Sequence, residues 1–265
     1  MSDTKNHPFQ IVDPSPWPIT TAMSSLLITL GAVLSMRLRH HIVLIVGFLM
    51  LFGCLFGWWR DVVKESKDQT IYTAKVKQGL QIGMLIFIFT EIMFFVSFFW
   101  AFFEASLDPK AAIGSVWPPK GIKTLDPFDL PYLNTLILLL SGTTLTWAHH
   151  ALLNDRQKEF SQALGITILL GLIFTSIQAY EYAHAPFLFK GGIYPSTFYM
   201  ATGFHGFHVI VGTLFLATCY WRSKTKGDIT KESHTGFEMA AWYWHFVDVV
   251  WLFLFVSIYW WGSAS

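Results

Sequence analysis

Charge is scarce in this chain. Only 13% of its 265 residues are Asp, Glu, Lys or Arg, about half the share usual in soluble domains. Cysteine is scarcer still. Cys54 and Cys219 each sit inside an apolar run, which gives neither a disulfide framework nor a CxxC pair and reads as two buried thiols. The chain has no GxxxxGK[ST] phosphate loop and no dinucleotide GxGxxG. No nucleophile–base–acid arrangement stands out. A formal net charge of +1 leaves no electrostatic footprint for nucleic acid. The opening stretch, MSDTKNHPFQIVDPSPWP, lacks an apolar segment behind a basic head. No cleavable signal peptide is expected, and the first helix is expected to remain in the mature chain.

What the chain has is apolar length. Hydrophobic residues make up 53%, with 25 Phe and 12 Trp. Spanning a bilayer takes ~20 apolar residues, and seven segments qualify: 17–36, 42–60, 78–105, 130–153, 158–184, 195–222 and 236–261. Lipid cannot satisfy exposed backbone groups, so each must be a helix. The alternation of a membrane β-barrel is absent. The expected class is all-α integral membrane, with seven transmembrane helices. Pro14, Pro16 and Pro18 lead into the first, where a missing N–H costs nothing.

The charged stretch 61–77, DVVKESKDQTIYTAKVK, separates the first two helices from the other five. The expected organisation is 1–60, a linker at 61–77, and a five-helix bundle at 78–265. Residues 106–129, rich in Pro and Gly, form a longer loop on the opposite side. Twelve of the 18 Lys and Arg lie at the N-terminus and in the connections between helices 2–3, 4–5 and 6–7. The positive-inside rule then puts the N-terminus on the cytoplasmic or matrix side and the C-terminus outside.

Ionisable groups at membrane depth are costly and need a reason. Glu91 lies midway along helix 3 in IFIFTEIMFF. Desolvation there favours the neutral acid. Three roles compete: proton relay, ion binding, and a structural hydrogen bond to another helix. Helix 6 carries GFHGFHVIVG, with His205 and His208 three apart among glycines that allow close helix approach. On helix 7, Glu238, His245 and Asp248 share one face by spacing. A single polar cluster of Glu91, His205, His208, His245 and Asp248 joining helices 3, 6 and 7 is consistent with these depths. The histidines are candidate metal or haem ligands, but a closed site needs three or four ligands, and interhelical hydrogen bonding explains them more simply. His149 and His150 end helix 4 at the inner surface. Glu181 and His184, three apart near the end of helix 5, read as a surface pair. Helix 2 closes with Trp58, Trp59 and Arg60, which either hold a phospholipid or simply anchor the interface. Arg222 is a second candidate for a lipid phosphate. Helix 7 has no Lys, which excludes a retinal-type Schiff base there.

Longer motifs converge on one family. VDPSPWP, WWRDV, FFWAFFEASL, WPPKGI, LNTLILLLSG, TWAHHALL, STFYMATGFHGFHVIVG and YWHFVDVVWLFLFVSIYWWG resemble subunit III of the cytochrome c oxidases, over about residues 7–263. That resemblance implies a two-plus-five helix arrangement with a V-shaped, phospholipid-filled cleft. It also implies that this chain holds no cofactor or metal, since haem a and copper belong to partner subunits. Glu91 matches the family's buried, carbodiimide-reactive glutamate. Trp59 and Phe87 match positions associated with cleft lipids, and Arg222 does so less closely. The implied role is to stabilise subunit I, beside subunit II, and to support proton uptake; His7 on the inner side is a candidate proton collector. Cytochrome c would be met only through the complex. The implied location is a bacterial or mitochondrial inner membrane. Two rivals remain. One is a stand-alone transporter using Glu91, His208 and Asp248. The other is the quinol-oxidase form of the subunit, which helices 1 and 2 disfavour.

Overall fold

The structure, a computed structural model, describes residue 10 and residues 12–67 and 72–263. All regular structure among these residues is helical: α1 Trp17–Leu38, α2 Ile42–Glu65, α3 Ala74–Leu107, α4 Leu130–Leu153, α5 Gln157–His184, α6 Ile193–Lys226 and α7 Thr235–Leu254. All seven are long and apolar enough to cross a membrane. The chain forms two compact units, one through Ile82 and one from Gly83 onward, and the division falls inside α3.

In the first unit, α1 and α2 pair through small residues. A Cβ on Gly31 would run into the backbone of Leu44, and one on Gly47 would fall 2.8 Å from the Ile28 nitrogen. Glycine at both positions lets the backbones approach until van der Waals contact holds them, the usual basis of helix association in lipid. The Trp17 ring covers Gly57, and its indole N–H donates to Asp61 Oδ2 at 2.8 Å.

Two expected boundaries move. Residues 61–65 and 74–77, expected in the linker, are helical. An apolar count ends a span where lipid ends, whereas a helix continues into water on solvated charged side chains. The helices α3 and α6 have 34 residues each, about 51 Å at ~1.5 Å per residue. That exceeds a hydrocarbon core of ~30 Å, so each tilts or projects. The last segment is also not one uniform helix. After Leu254 it widens into a π turn, Phe255–Trp260, and closes in a 3₁₀ turn, Trp261–Ser263.

The second unit packs around α7. Trp244, Trp251, Phe237, Leu254 and Tyr259 are essentially inaccessible. Trp244 fits between Gly171 of α5 and Gly212 of α6, where added Cβ atoms would fall 2.7 and 2.8 Å from its ring. Its N–H donates to Ser141 Oγ on α4 at 2.9 Å. Likewise Trp251 donates to Thr135 Oγ1 at 2.9 Å. From residue 83 on, α3 joins this unit through aromatic contacts: Phe94 against Phe204, Phe95 against Phe246, Phe99 against Phe253 and Phe102 against Trp117. The 106–129 loop is thereby tied to the bundle through Trp117, which also meets Tyr194.

Candidate functional site

Glu91 meets His208. Its Oε2 lies 2.8 Å from His208 Nε2, linking α3 to α6. The imidazole's other nitrogen, Nδ1, is 2.7 Å from the Phe204 carbonyl. A carbonyl only accepts, so Nδ1 carries a proton and donates it. Nε2 and Oε2 therefore hold one proton between them. Either neutral Glu91 donates to neutral His208, or imidazolium donates to carboxylate. The pair carries no net charge in both cases, which makes it tolerable in an apolar setting. Around it stand Phe94, Phe95, Phe207, Tyr243 and Phe246, with ring centroids 5.0–6.4 Å from His208. The His208 side chain is 8% exposed and that of Glu91 21%.

His205, one turn earlier, has a different partner. It is fully buried, and Nε2 donates to the Val247 carbonyl of α7 at 3.1 Å. Its Nδ1 is then a bare acceptor without a hydrogen-bond partner. His245 and Asp248 form a third arrangement. Nδ1 and Oδ2 are 3.6 Å apart, with the His245 side chain 45% exposed and that of Asp248 10%. Asp248 lies against Gly142 of α4, where an added Cβ would come 2.5 Å from Oδ2.

The expected single cluster is therefore three separate contacts. Spacing of three puts His205 and His208 on neighbouring positions of α6, but one ring turns to the backbone of α7 and the other to the carboxyl of α3. Among the described residues, no three His, Cys, Asp or Glu side chains come together in a metal-holding group.

Glu181 is not the surface residue its position suggests. It is 3% exposed and accepts a 2.7 Å hydrogen bond from Tyr259 of the π turn. Its former companion His184 instead bonds the Tyr180 carbonyl and stacks on that ring. The π turn brings Tyr259 to Glu181, and no Pro or Gly marks that turn in the sequence. It advances the chain by less rotation per residue than an α turn, so it resets the face that Tyr259 presents, and such turns recur at functional positions.

The remaining candidates are dispersed. Trp58 is half-buried and Trp59 is 64% exposed. Arg60 pairs with Asp61 at 3.1 Å, with its side chain largely in the open. Phe87, 46% exposed, stacks on Tyr243. Arg222 is half-buried beside Gly236 in the first turn of α7, and its Nε has no hydrogen-bond partner. His149 is packed against His234 and Phe237, while His150 is exposed. His7 lies outside the described residues.

Comparison with known proteins fits this arrangement into one family. A family model described as cytochrome c oxidase subunit III matches residues 7–263. A protein of Prototheca wickerhamii named cytochrome c oxidase subunit 3 is 54% identical over 262 residues, covering 98% of this chain and 100% of its own. One of the same name from Arabidopsis thaliana is 53% identical over 265 residues, covering 99% and 100%. A protein of Rickettsia felis named probable cytochrome c oxidase subunit 3 is 56% identical over 271 residues, covering 98% and 97%.

Proposed function

Because the chain belongs to the cytochrome c oxidase subunit III family, we propose that it supports the oxidase's catalytic subunit without itself carrying electrons. Membership makes it one subunit of a respiratory oxidase complex, and its seven apolar helices make it a multi-pass protein of the inner membrane. In this reading subunit I is the main contact and subunit II a neighbour. Haem a and copper belong to those partners, and cytochrome c is engaged only by the assembled complex.

The observation that carries the reading is the Glu91–His208 pair. Both polar ends of the imidazole are committed, one to the Phe204 carbonyl and one to the acid. A group so occupied is suited to holding two helices together. It can lend a proton to a neighbouring pathway only by exchanging the one it shares. Trp59 and Phe87 each present a broad apolar face, which suits each of them to contact with phospholipid chains. Arg60, which also pairs with Asp61, and Arg222 are candidate cations for headgroups.

The test is turnover of the purified complex. Glu91→Gln and Glu91→Ala are expected to leave the initial electron-transfer rate within about twofold of the parent, a barrier change of ~0.4 kcal/mol. Complete loss of turnover in an assembled enzyme with normal haem a absorbance would overturn the helper role. A chain that purifies without haem a absorbance, and transports ions alone, would point to the transporter instead.

A further inference from the structure

At the end of the bundle where α4 connects to α5 and α6 to α7, a cavity of about 410 Å³ opens among Gln157, Lys158, Ser161, Ser223, Lys224 and Thr230. The hydroxyls are its unusual feature. Elsewhere in these helices Ser and Thr turn back on their own backbone, as Ser141, Thr167, Thr213, Thr218 and Thr225 do. Ser161 and Ser223 make no hydrogen bond among the described residues. Ser161 is only 7% exposed, and it faces this cavity. Its Oγ opens onto the cavity, where it is free to donate a hydrogen bond to an occupant.

Two further features set the sign of that partner. The α5 helix begins here, and its N-cap residue, Arg156, gives no side-chain cap. The Arg156 side chain thus leaves the first-turn N–H groups, the positive end of the helix dipole, uncapped. Lys158 and Lys224 add two exposed ammonium groups to the rim. Opposing charges are present too. The last carbonyls of α6 repel an anion, but Lys224 lies among them. Glu159 is 3.5 Å from Arg156, and Asp155 is 4.0 Å from Lys231, so both acids face other cations. Asp228 has contacts of its own.

We propose that this cavity binds a phosphate group, carried by a phospholipid headgroup or free in solution. Lys158 and Lys224 supply the charge, the Ser161 and Ser223 hydroxyls donate to phosphate oxygens, and the start of α5 completes the cradle. The site lies on α5, α6 and their connections. It stands whether or not Trp59 and Phe87 hold lipid.

The experiment uses the purified oxidase complex, delipidated in detergent, with normal haem a absorbance and melting as controls. Inorganic phosphate binding is followed by equilibrium dialysis, and phosphatidylglycerol binding by native mass spectrometry. The expected result is one saturable site that weakens about tenfold or more in Lys158→Gln/Lys224→Gln, with a smaller loss in Ser161→Ala. Should Ser161→Ala fail to assemble, the double variant, altered only at exposed positions, decides alone. Phosphate binding that shows these losses assigns a free anion; losses confined to phosphatidylglycerol assign a lipid headgroup. Equal affinity and stoichiometry in parent and variants for both probes, or no binding by the parent, would overturn the site.

Discussion

With Nδ1 of His208 committed to the Phe204 carbonyl, what fills the space opposite Nε2 decides the cost of any change at Glu91. In Glu91→Gln an amide N–H can still donate to Nε2, so the interhelical bond persists in altered form. In His208→Leu the carboxyl loses its only described partner while remaining largely out of water. The expected loss for the second change is about 1–3 kcal/mol, and for the first well under that. Thermal melting of the purified complex, read as release of this subunit, checks the order; a Glu91→Gln complex that melts as early as His208→Leu would contradict the shared-proton geometry. Sequence made Glu91 conspicuous, because one acid amid IFIFTEIMFF has no local explanation. It could not supply the partner, which is 117 residues away. Glu181 shows the opposite failure. His184, three residues on, offered a local companion, so nothing pointed to Tyr259, 78 residues away. Pairing across helices depends on rotation about each helix axis, and a membrane helix that is apolar on all sides carries little record of that rotation.

At the scale of the element, α7 ties the second unit together by sending indoles into slots that glycine leaves open. Gly171 and Gly212 flank Trp244 from two helices, so a side chain at either position must displace the ring or the backbone. Gly212→Ala is expected to destabilise the bundle by about 1–3 kcal/mol, the usual cost of overpacking. Combining it with Trp244→Phe should recover part of that loss, because the smaller ring vacates the contested space even though the bond to Ser141 is lost. Melting midpoints of the single and double variants give the comparison, and strictly additive losses would show that the two positions do not contend for the same volume. The seven helices themselves were legible, since lipid forces any apolar run of sufficient length into a helix. Their ends were less so. The α2 and α3 helices continue into charged sequence, and α7 changes pitch at Phe255 without any Pro or Gly to announce it.

For the molecule as a whole, the placement of the cations predicts an orientation in the membrane. Twelve of 18 Lys and Arg fall on one side of the seven spans, and that bias outweighs the acidic residues in setting topology. The same side would then hold the connection between α6 and α7, including Ser233, while Ala112, in the turn Ala111–Ile113, would face out. Both positions are exposed, so each can be read with a single introduced thiol. The native cysteines interfere little, since Cys54 and Cys219 are 7% and 3% exposed. In cells whose outer barrier has been opened, a membrane-impermeant maleimide is expected to label Ala112→Cys directly. It should reach Ser233→Cys only in inverted vesicles or after detergent. Labelling of Ser233→Cys from the outer face would reverse the expected topology. It would also move the Lys158–Lys224 cavity to the outer surface, because both connections that border it lie at the same end of the bundle as Ser233. The two thiols thus decide which leaflet and which compartment could supply a phosphate to that cavity.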